Sequence, residues 1–263
     1  MLNKNIIESK DNSKVKLINS LKTKKFREKH GLMIFEGLRA TKQLIDLNVP
    51  LDIIAFSEKA YNDFEDYRNI YEDYKDISII IKDSIFNQLS DTVSTQGIIA
   101  ISKIPNYNLE DLLKKDTARI LMFDRLQDPG NAGTLIRTAD AAGFDAILAL
   151  KGTVDLYSPK VNRSAMGSNI YIPIIEIEET DILNLKQNGF KILATALDEY
   201  AQTYDKAIYT EKCVIVLGNE ANGVSENIIA MSDQKVYIPI YGKAESLNVG
   251  IAGAIVMYKS LEK

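Results

Sequence analysis

The sequence predicts an α/β protein in two units, the second built on a parallel sheet. Three observations carry that reading. Apolar runs of strand length alternate with amphipathic runs of helix length along the chain. The runs after Ala118, among them "RILMFD", "DAILAL" and "CVIVLG", are apolar almost throughout, as strands covered on both faces must be. The alternation breaks once, at "KIPNYNLEDLLKKDTA", where a proline, two asparagines and several charges read as a junction. We therefore expect a small α/β domain over residues 1–105, a linker over 106–117 and a second domain over 118–263.

Taken in order, "SKVKLINSLKTKKFREKHG" reads as one helix with Val15, Leu17, Ile18 and Leu21 on its apolar side and Gly31 at its end. "LMIFEG" is a strand, "LRATKQLIDLN" a helix and "LDIIAFS" a strand. "YNDFEDYRNIYEDYKD" sets Tyr61, Phe64, Tyr67, Tyr71 and Tyr74 at helical spacing. That stripe reads as packing surface, because so acidic a segment repels phosphate. "ISIIIK" is a strand, "DSIFNQLSD" a helix capped by Asp83 or Ser84, and "QGIIAIS" a strand. Beyond the junction "RILMFD" is a strand and "AGTLIRTADAAG" a helix ended by Gly143. "DAILAL" is a strand, and "SPKVNRSAMGS" a helix with Pro159 in its first turn. "IYIPII", "KILATAL", "CVIVLG" and "KVYIPI" are strands. "DILNLKQNG" and "SENIIAMS" are helices, and a last helix, rich in Gly and Ala, ends the chain. Val249, Ile251, Ile255, Val256 and Tyr258 spread apolar groups around that helix, more than one sheet face would cover.

Composition narrows the chemistry. One cysteine, Cys213, excludes an internal disulfide and fits a reducing, cytoplasmic setting. One histidine, His30, leaves too few ligands for a zinc site of His and Cys, and it sits in a basic stretch far from any nucleophile motif, where it reads as a surface residue. The start of the chain carries no signal pattern, and no apolar run reaches membrane-spanning length. The net charge is −4, but residues 1–43 hold 11 Lys and Arg against 4 Asp and Glu, leaving 21 against 32 over the rest. A basic arm on an acidic body is the asymmetry of a chain that meets phosphate through one region. Its candidate contacts are Lys14, Lys16, Lys22, Lys24, Lys25, Arg27 and Arg39. A solvated helix face would carry the same charges.

Three loops follow buried strands and are dense in glycine and polar residues. They are "DRLQDPGNAGTLIRTADAAGF", "VIVLGNEANGVSENI" and "IPIYGKAESLNVGIAGAIVMY". Parallel sheets bind ligands beyond the carboxyl ends of their strands, which is where these loops fall. Arg137, opposite Leu135, Ile136 and Ala139, calls for an anion or for a carboxylate such as Asp140. Gly218 lets a ligand approach the backbone. Ser246 is a candidate N-cap for the last helix. Neither the dinucleotide fingerprint nor the P-loop pattern occurs, which disfavours a nucleotide-dependent oxidoreductase.

Together the loops resemble the three signature motifs of the SpoU-type (TrmH) RNA 2′-O-ribose methyltransferases of the SPOUT superfamily. The first motif is matched by Asn131, Gly133 and Arg137, the second by Leu217, Gly218, Asn219 and Glu220 with Gly223 following. The third is matched by Ile238, Pro239, Gly242, Glu245, Ser246, Leu247, Asn248 and Val249. Order and spacing agree over residues 118–263, and "RSAMGS" resembles a further stretch of the family. Gly250 departs from the Ser or Ala often found there. Residues 1–105, through "NSKVKLINSLKTKKFREKHGLMIFEGLRA" and "STQGIIAI", resemble the family's appended L30e-like substrate-binding domain.

The resemblance implies a SPOUT parallel sheet with a deep trefoil knot, a homodimer, no metal, and S-adenosylmethionine as methyl donor. It assigns the cofactor to Thr195, Ala196, Leu217, Gly218, Asn219, Ile238 and Leu247. The chemistry falls to Asn131, Arg137, Glu220, Ser246 and Asn248, and the substrate is RNA. Ribosomal 23S RNA is favoured, with transfer RNA or a non-catalytic RNA-binding role on the same scaffold as alternatives. A guanidinium stays protonated and is a poor base. Arg137 is therefore expected to clamp phosphate and stabilise a developing alkoxide.

Overall fold

A computed structural model of the chain describes residues 6–92, 95–198 and 200–262. It divides into two compact units, one comprising the residues up to Ile104 together with Tyr157–Gly167, the other running from Pro105 to Leu156 and onward from Ser168.

The first unit is a five-stranded mixed sheet. In chain order its elements are β1 (Ile6–Ile7), α1 (Ser13–Ser20), α2 (Lys24–His30), β2 (Leu32–Glu36), α3 (Leu38–Asp46), β3 (Leu51–Ser57), α4 (Glu58–Asp63), α5 (Glu65–Asp73), β4 (Ser78–Ile81), α6 (Asp83–Leu89) and β5 (Ile98–Lys103). The strand order is β1-β4-β3-β5-β2, parallel through β1, β4 and β3 and antiparallel about β5. Successive residues of β3 serve opposite faces. Ile53 and Ala55 join Val15, Ile18, Phe86 and Leu89 from α1 and α6, whereas Ile54 and Phe56 join Tyr61, Tyr67 and Ile70 from α4 and α5. The unit is thus polar in charge as well as in layering, with a basic α1–α2 on one side and an acidic α4–α5 on the other.

Two expected helices are each broken in two. The basic stretch stops at Ser20 and restarts at Lys24, with Asn12 capping α1 through its side chain and Gly31, at φ +62°, closing α2. The tyrosine stripe breaks at Phe64, which is extended and exposed. Its other rings pack, Tyr61 against Tyr71 with centroids 5.2 Å apart and Tyr67 against Phe56 at 6.1 Å. Asp83 is the first residue of α6 rather than its cap, which falls on Lys82.

The second unit contains α7 (Leu109–Leu113), β6 (Ala118–Phe123), α8 (Pro129–Ala141), β7 (Ala146–Leu150), α10 (Ser168–Tyr171), β8 (Ile174–Ile177), α11 (Asp181–Gln187), β9 (Lys191–Thr195), β10 (Gln202–Thr203), β11 (Lys212–Leu217), α12 (Glu226–Met231), β12 (Gln234–Tyr237) and α13 (Val249–Lys259). Its seven strands are all parallel, in the order β10-β12-β9-β11-β6-β7-β8. The chain builds β6, β7 and β8 outward, returns to lay down β9, then sets β11 between β9 and β6 and β12 beyond β9. One core joins Ile120, Met122, Leu148, Val214 and Val216 to Leu185 and Ile228. Each such side chain fully buried stabilises the fold by roughly 1.5–3 kcal/mol.

Three expectations meet a different arrangement. The stretch expected as a linker folds as α7, and Leu112 and Leu113 enter the core of the second unit. The helix α9 (Pro159–Ala165), expected within the second domain, joins the first unit, where it packs on the edge strand β2 and Asn162 donates from Nδ2 to the Ile34 carbonyl at 2.8 Å. "IYIPII" begins as helix α10, and only Ile174–Ile177 is strand. No helix among the described residues is long and apolar enough to cross a membrane.

Candidate active site

Because the second sheet is parallel, the carboxyl ends of its strands share one edge. Phe123 lies opposite Leu217, Ala194 opposite Val216 and Thr195 opposite Val236, so β6, β11, β9 and β12 release their loops side by side. The loop after β6 turns into α8 through Asp128, whose Oδ1 accepts from the Asn131 amide N–H at 2.7 Å, with Pro129 at the first helical position. This signature stands openly in "DPGNAG", and it starts the helix several residues before the expected "AGTLIRT". The cap fixes Asn131 in the first turn.

From there a chain of directed hydrogen bonds joins all three loops. The Glu220 carboxylate accepts from the Gln127 and Asp128 backbone N–H groups at 3.1 and 3.0 Å and from Asn131 Nδ2 at 3.1 Å. Asn131 Oδ1 accepts from Asn248 Nδ2 at 2.9 Å, and Asn248 Oδ1 accepts from the N–H groups of Gly250 and Ile251. A carboxylate only accepts, so it fixes which way the Asn131 amide faces, and Asn131 in turn fixes Asn248. Partial burial acts to raise the Glu220 pKa, but the donors from Asn131, Asp128 and Gln127 outweigh it and hold the carboxyl below its usual range. The N-cap of α13 is therefore Asn248. Ser246 does not cap the helix; its exposed side chain lines the cavity described below.

The second loop is closed on itself. Asn219 and Gly223 exchange backbone hydrogen bonds at 3.0 and 2.8 Å, and Asn219 Nδ2 donates to the Arg125 carbonyl at 3.1 Å. A Cβ on Gly218 would stand 2.0 Å from the Gly223 carbonyl carbon, so only glycine fits there. Asp124, 2 % exposed, ties this loop to the first one. Its N–H donates to the Leu217 carbonyl, and its carboxylate accepts from the Ser225 N–H at 2.6 Å and from Arg125 Nε at 2.9 Å. Sequence reasoning passed over Asp124, and its only signal there is an acid ending an otherwise apolar strand.

Beside this network lies a cavity of about 640 Å³. Thr195, Ala196, Leu217, Gly218, Asn219, Ile238 and Leu247 all line it, together with Glu220, Ser246 and Asn248. Val224, Ile229 and Val256 add an apolar wall that their separate positions along the chain concealed. Asn131 and Arg137 are not on the cavity wall. Arg137 is exposed on α8 and makes no hydrogen bond or ion pair among the described residues, so the expected alternative partner, Asp140, is not engaged. Behind the cavity α13 packs on α8 and β11. A Cβ on Gly253 would meet Leu135 Cδ2 at 2.4 Å and Leu217 Cδ1 at 2.5 Å.

The candidate RNA contacts in the first unit divide sharply. Lys25 and Arg39 are exposed without an ion pair among the described residues, and Lys14 is half-buried on α1. Lys16 pairs with Asp11 at 2.7 Å and Lys24 with Glu28 at 3.4 Å, both exposed. Lys22 is a structural tie, donating to the Gln88 carbonyl at 2.9 Å and pairing with Asp91 at 3.1 Å. Arg27 is 4 % exposed and donates to the Leu21 carbonyl at 2.5 Å; it braces the break between α1 and α2 and is turned away from any external phosphate. Arg39 sits on α3, in the layer opposite α1. Among the described residues no group of three or more His, Cys, Asp and Glu is placed to hold a metal.

Residues 118–258 match the model of the SpoU rRNA Methylase family. The chain belongs to the SpoU family. As a SpoU methylase it is an RNA methyltransferase, and its residues 12–100 match an MRM3-like substrate binding domain. Over 96 % of its length it is 34 % identical to the 23S rRNA (guanosine(2553)-2′-O)-methyltransferase RlmP of Bacillus subtilis, of which it covers 97 %. An AdoMet-bound rRNA methyltransferase from Sinorhizobium meliloti superposes with a TM-score of 0.84 at 26 % identity, over 97 % of each chain. The tRNA (guanosine(18)-2′-O)-methyltransferase of Aquifex aeolicus is 31 % identical over 58 % of this SpoU methylase and 73 % of its own length.

Proposed function

We propose that this SpoU methylase transfers a methyl group from S-adenosylmethionine to a ribose 2′-hydroxyl of 23S ribosomal RNA in the cytoplasm. The observation that carries the reading is the Glu220–Asn131–Asn248 chain set beside a cavity of about 640 Å³. The cavity fits the cofactor in volume and in chemistry, with apolar walls from Leu217, Val224 and Ile229; Gly218 serves the closure of the second loop, where its missing Cβ makes room for the Gly223 backbone rather than for a ligand. Thr195, Ala196, Leu217, Gly218, Asn219, Ile238 and Leu247 hold it. Once bound, S-adenosylmethionine supplies a methyl on a sulfonium that needs no metal activation. Asn131 and Asn248 orient the ribose, and Glu220 keeps both amides in register. Ser246 hydrogen-bonds the reacting oxygen. Arg137, a cation with no hydrogen bond or ion pair among the described residues, clamps phosphate and stabilises the alkoxide as the hydroxyl proton passes to solvent water. Ribosomal over transfer RNA is supported by the similarity to RlmP along the whole chain and by the substrate-binding domain.

The active species is a homodimer joined through the second unit, and the order of β9, β11 and β12 suits the trefoil knot of the SPOUT fold. Two features support the dimer. Ile251 and Tyr258 of α13 are 55 % and 52 % exposed, and Tyr241 and Leu197 expose apolar surface near the cavity. Arg137 stands off the cavity wall of its own chain, as expected of a residue that serves its partner's. Ile251→Arg should give folded monomers with impaired turnover, read by sedimentation; a wild-type monomer that methylates RNA would remove the dimer from the account. For the activity itself, calorimetry should find binding of S-adenosylmethionine and none of NAD, with tritiated methyl passing to 23S RNA.

A further inference from the structure

The helix α2 is built inside out. Its one buried side chain is charged, Arg27, while its one large apolar residue, Phe26, is 38 % exposed. Leaving more than a third of a phenylalanine in water forgoes part of the stabilisation its burial would give, unless the open face has another use. Phe26 lies beside His30, the only histidine of the chain, with ring centroids 6.3 Å apart and planes within 14° of parallel. At that separation the two near-parallel rings are not in tight face-to-face contact, so they form an open aromatic surface rather than a closed pair. The Lys29 ammonium sits 6.0 Å from the Phe26 centroid, and the exposed Lys25 precedes it. The only acid in α2, Glu28, is taken up by Lys24. An exposed ring pair flanked by cations that hold no ion pair among the described residues matches one chemistry: a base that stacks, on a backbone that carries phosphate.

We infer that Phe26 and His30 form a stacking platform for an unpaired base of the RNA substrate, with Lys25 and Lys29 meeting the adjoining phosphates. The inference rests on the RNA-methylating role proposed above and adds to it a site for a nucleotide held by the first unit. A single-stranded target follows, because a base inside a duplex offers no free face to stack.

The test uses the full chain and two probes of equal length and charge, a 12-nucleotide oligoadenylate and its abasic counterpart. Wild type should prefer the base-bearing probe. Phe26→Ala should weaken oligoadenylate binding about tenfold, leave the abasic probe unchanged and keep the slope of log affinity against log salt. Phe26→Tyr should restore the preference, and circular dichroism should show Phe26→Ala folded, as expected for an exposed side chain. Lys25→Ala should do the opposite, flattening the salt slope for both probes alike. Equal binding of both probes by wild type, or an unchanged preference in Phe26→Ala, overturns the platform. Methylation of 23S RNA by wild type is scored separately: its presence without the base preference removes the platform alone, and its absence removes the functional reading beneath it.

Discussion

The loop cluster at the sheet edge and the basic arm of the first unit are both polar and exposed, yet they are organised by opposite principles. Around Glu220 every named polar group has a directed partner, and the amide orientations follow one from another. Along α1 and α2 most lysines are free or hold exposed ion pairs, which contribute little and yield to salt. Directed networks hold atoms in place for chemistry. Diffuse charge draws in a polyanion without fixing it. The arm also contains its own exception, since Lys22 and Arg27 are bound to backbone carbonyls and belong to the fold.

The comparison breaks most visibly at Arg137. Arg137→Ala should lower kcat by about 10²- to 10³-fold, the cost of removing one preorganised charge from a transition state. Binding of S-adenosylmethionine by calorimetry should stay nearly intact, because Arg137 does not line the cavity of its own chain and its proposed partner is the RNA phosphate and ribose oxygen rather than the cofactor. Equal loss of cofactor affinity would assign it a different role.

The arm should respond in two separable ways. Lys25→Ala with Lys29→Ala should reduce the slope of log affinity against log salt by about 2, roughly 1 for each phosphate contact. Arg27→Ala should leave that slope alone and instead cost about 1–3 kcal/mol of stability in urea, as a buried hydrogen-bonded group does. If Arg27→Ala shifted the slope and not the stability, the division of the arm would be wrong.

Acid should reach the network before the arm. The Glu220 pKa is depressed below its ordinary 4.5, because the donors from Asn131, Asp128 and Gln127 outweigh the opposing effect of burial. Its contribution is thus fully present above the unfolded pKa and is lost as pH falls through the lower, folded value. Glu220→Gln should remove that part of the acid sensitivity, measured as the difference in unfolding free energy between pH 6 and pH 3. The smallest expected effect is at Cys213. Burial raises its thiol pKa to about 11, so stability should decline as pH rises above the thiol's usual 9. Ellman's reagent should label this sole cysteine at pH 8 only in denaturant.

Much of this was legible in the sequence because strand and helix periods are written locally. The apolar runs of β6, β7, β9 and β11 each sit within one short window; so does the cap-and-proline start of α8, although the expected helix began only at "AGTLIRT". What was not legible depends on distance. Asn131 meets Asn248 across 117 residues and Glu220 across 89, and no spacing rule reaches that far without a family pattern. Arg27 and Phe26 show the same limit at short range. In the sequence both sit in one basic stretch, and only the turn at Leu21 decides which is buried. The excursion of α9 onto β2 was hidden for a similar reason, since Asn162 finds its partner at Ile34, 128 residues away.

The measurement that tests the account most directly is a map of 2′-O-methyl groups on 23S RNA from cells lacking the protein, complemented in turn by wild type and by Arg137→Ala. The account predicts one ribose that loses its methyl group on deletion, regains it with wild type and stays unmethylated with Arg137→Ala. An unchanged 23S map, or full methylation restored by Arg137→Ala, would contradict it.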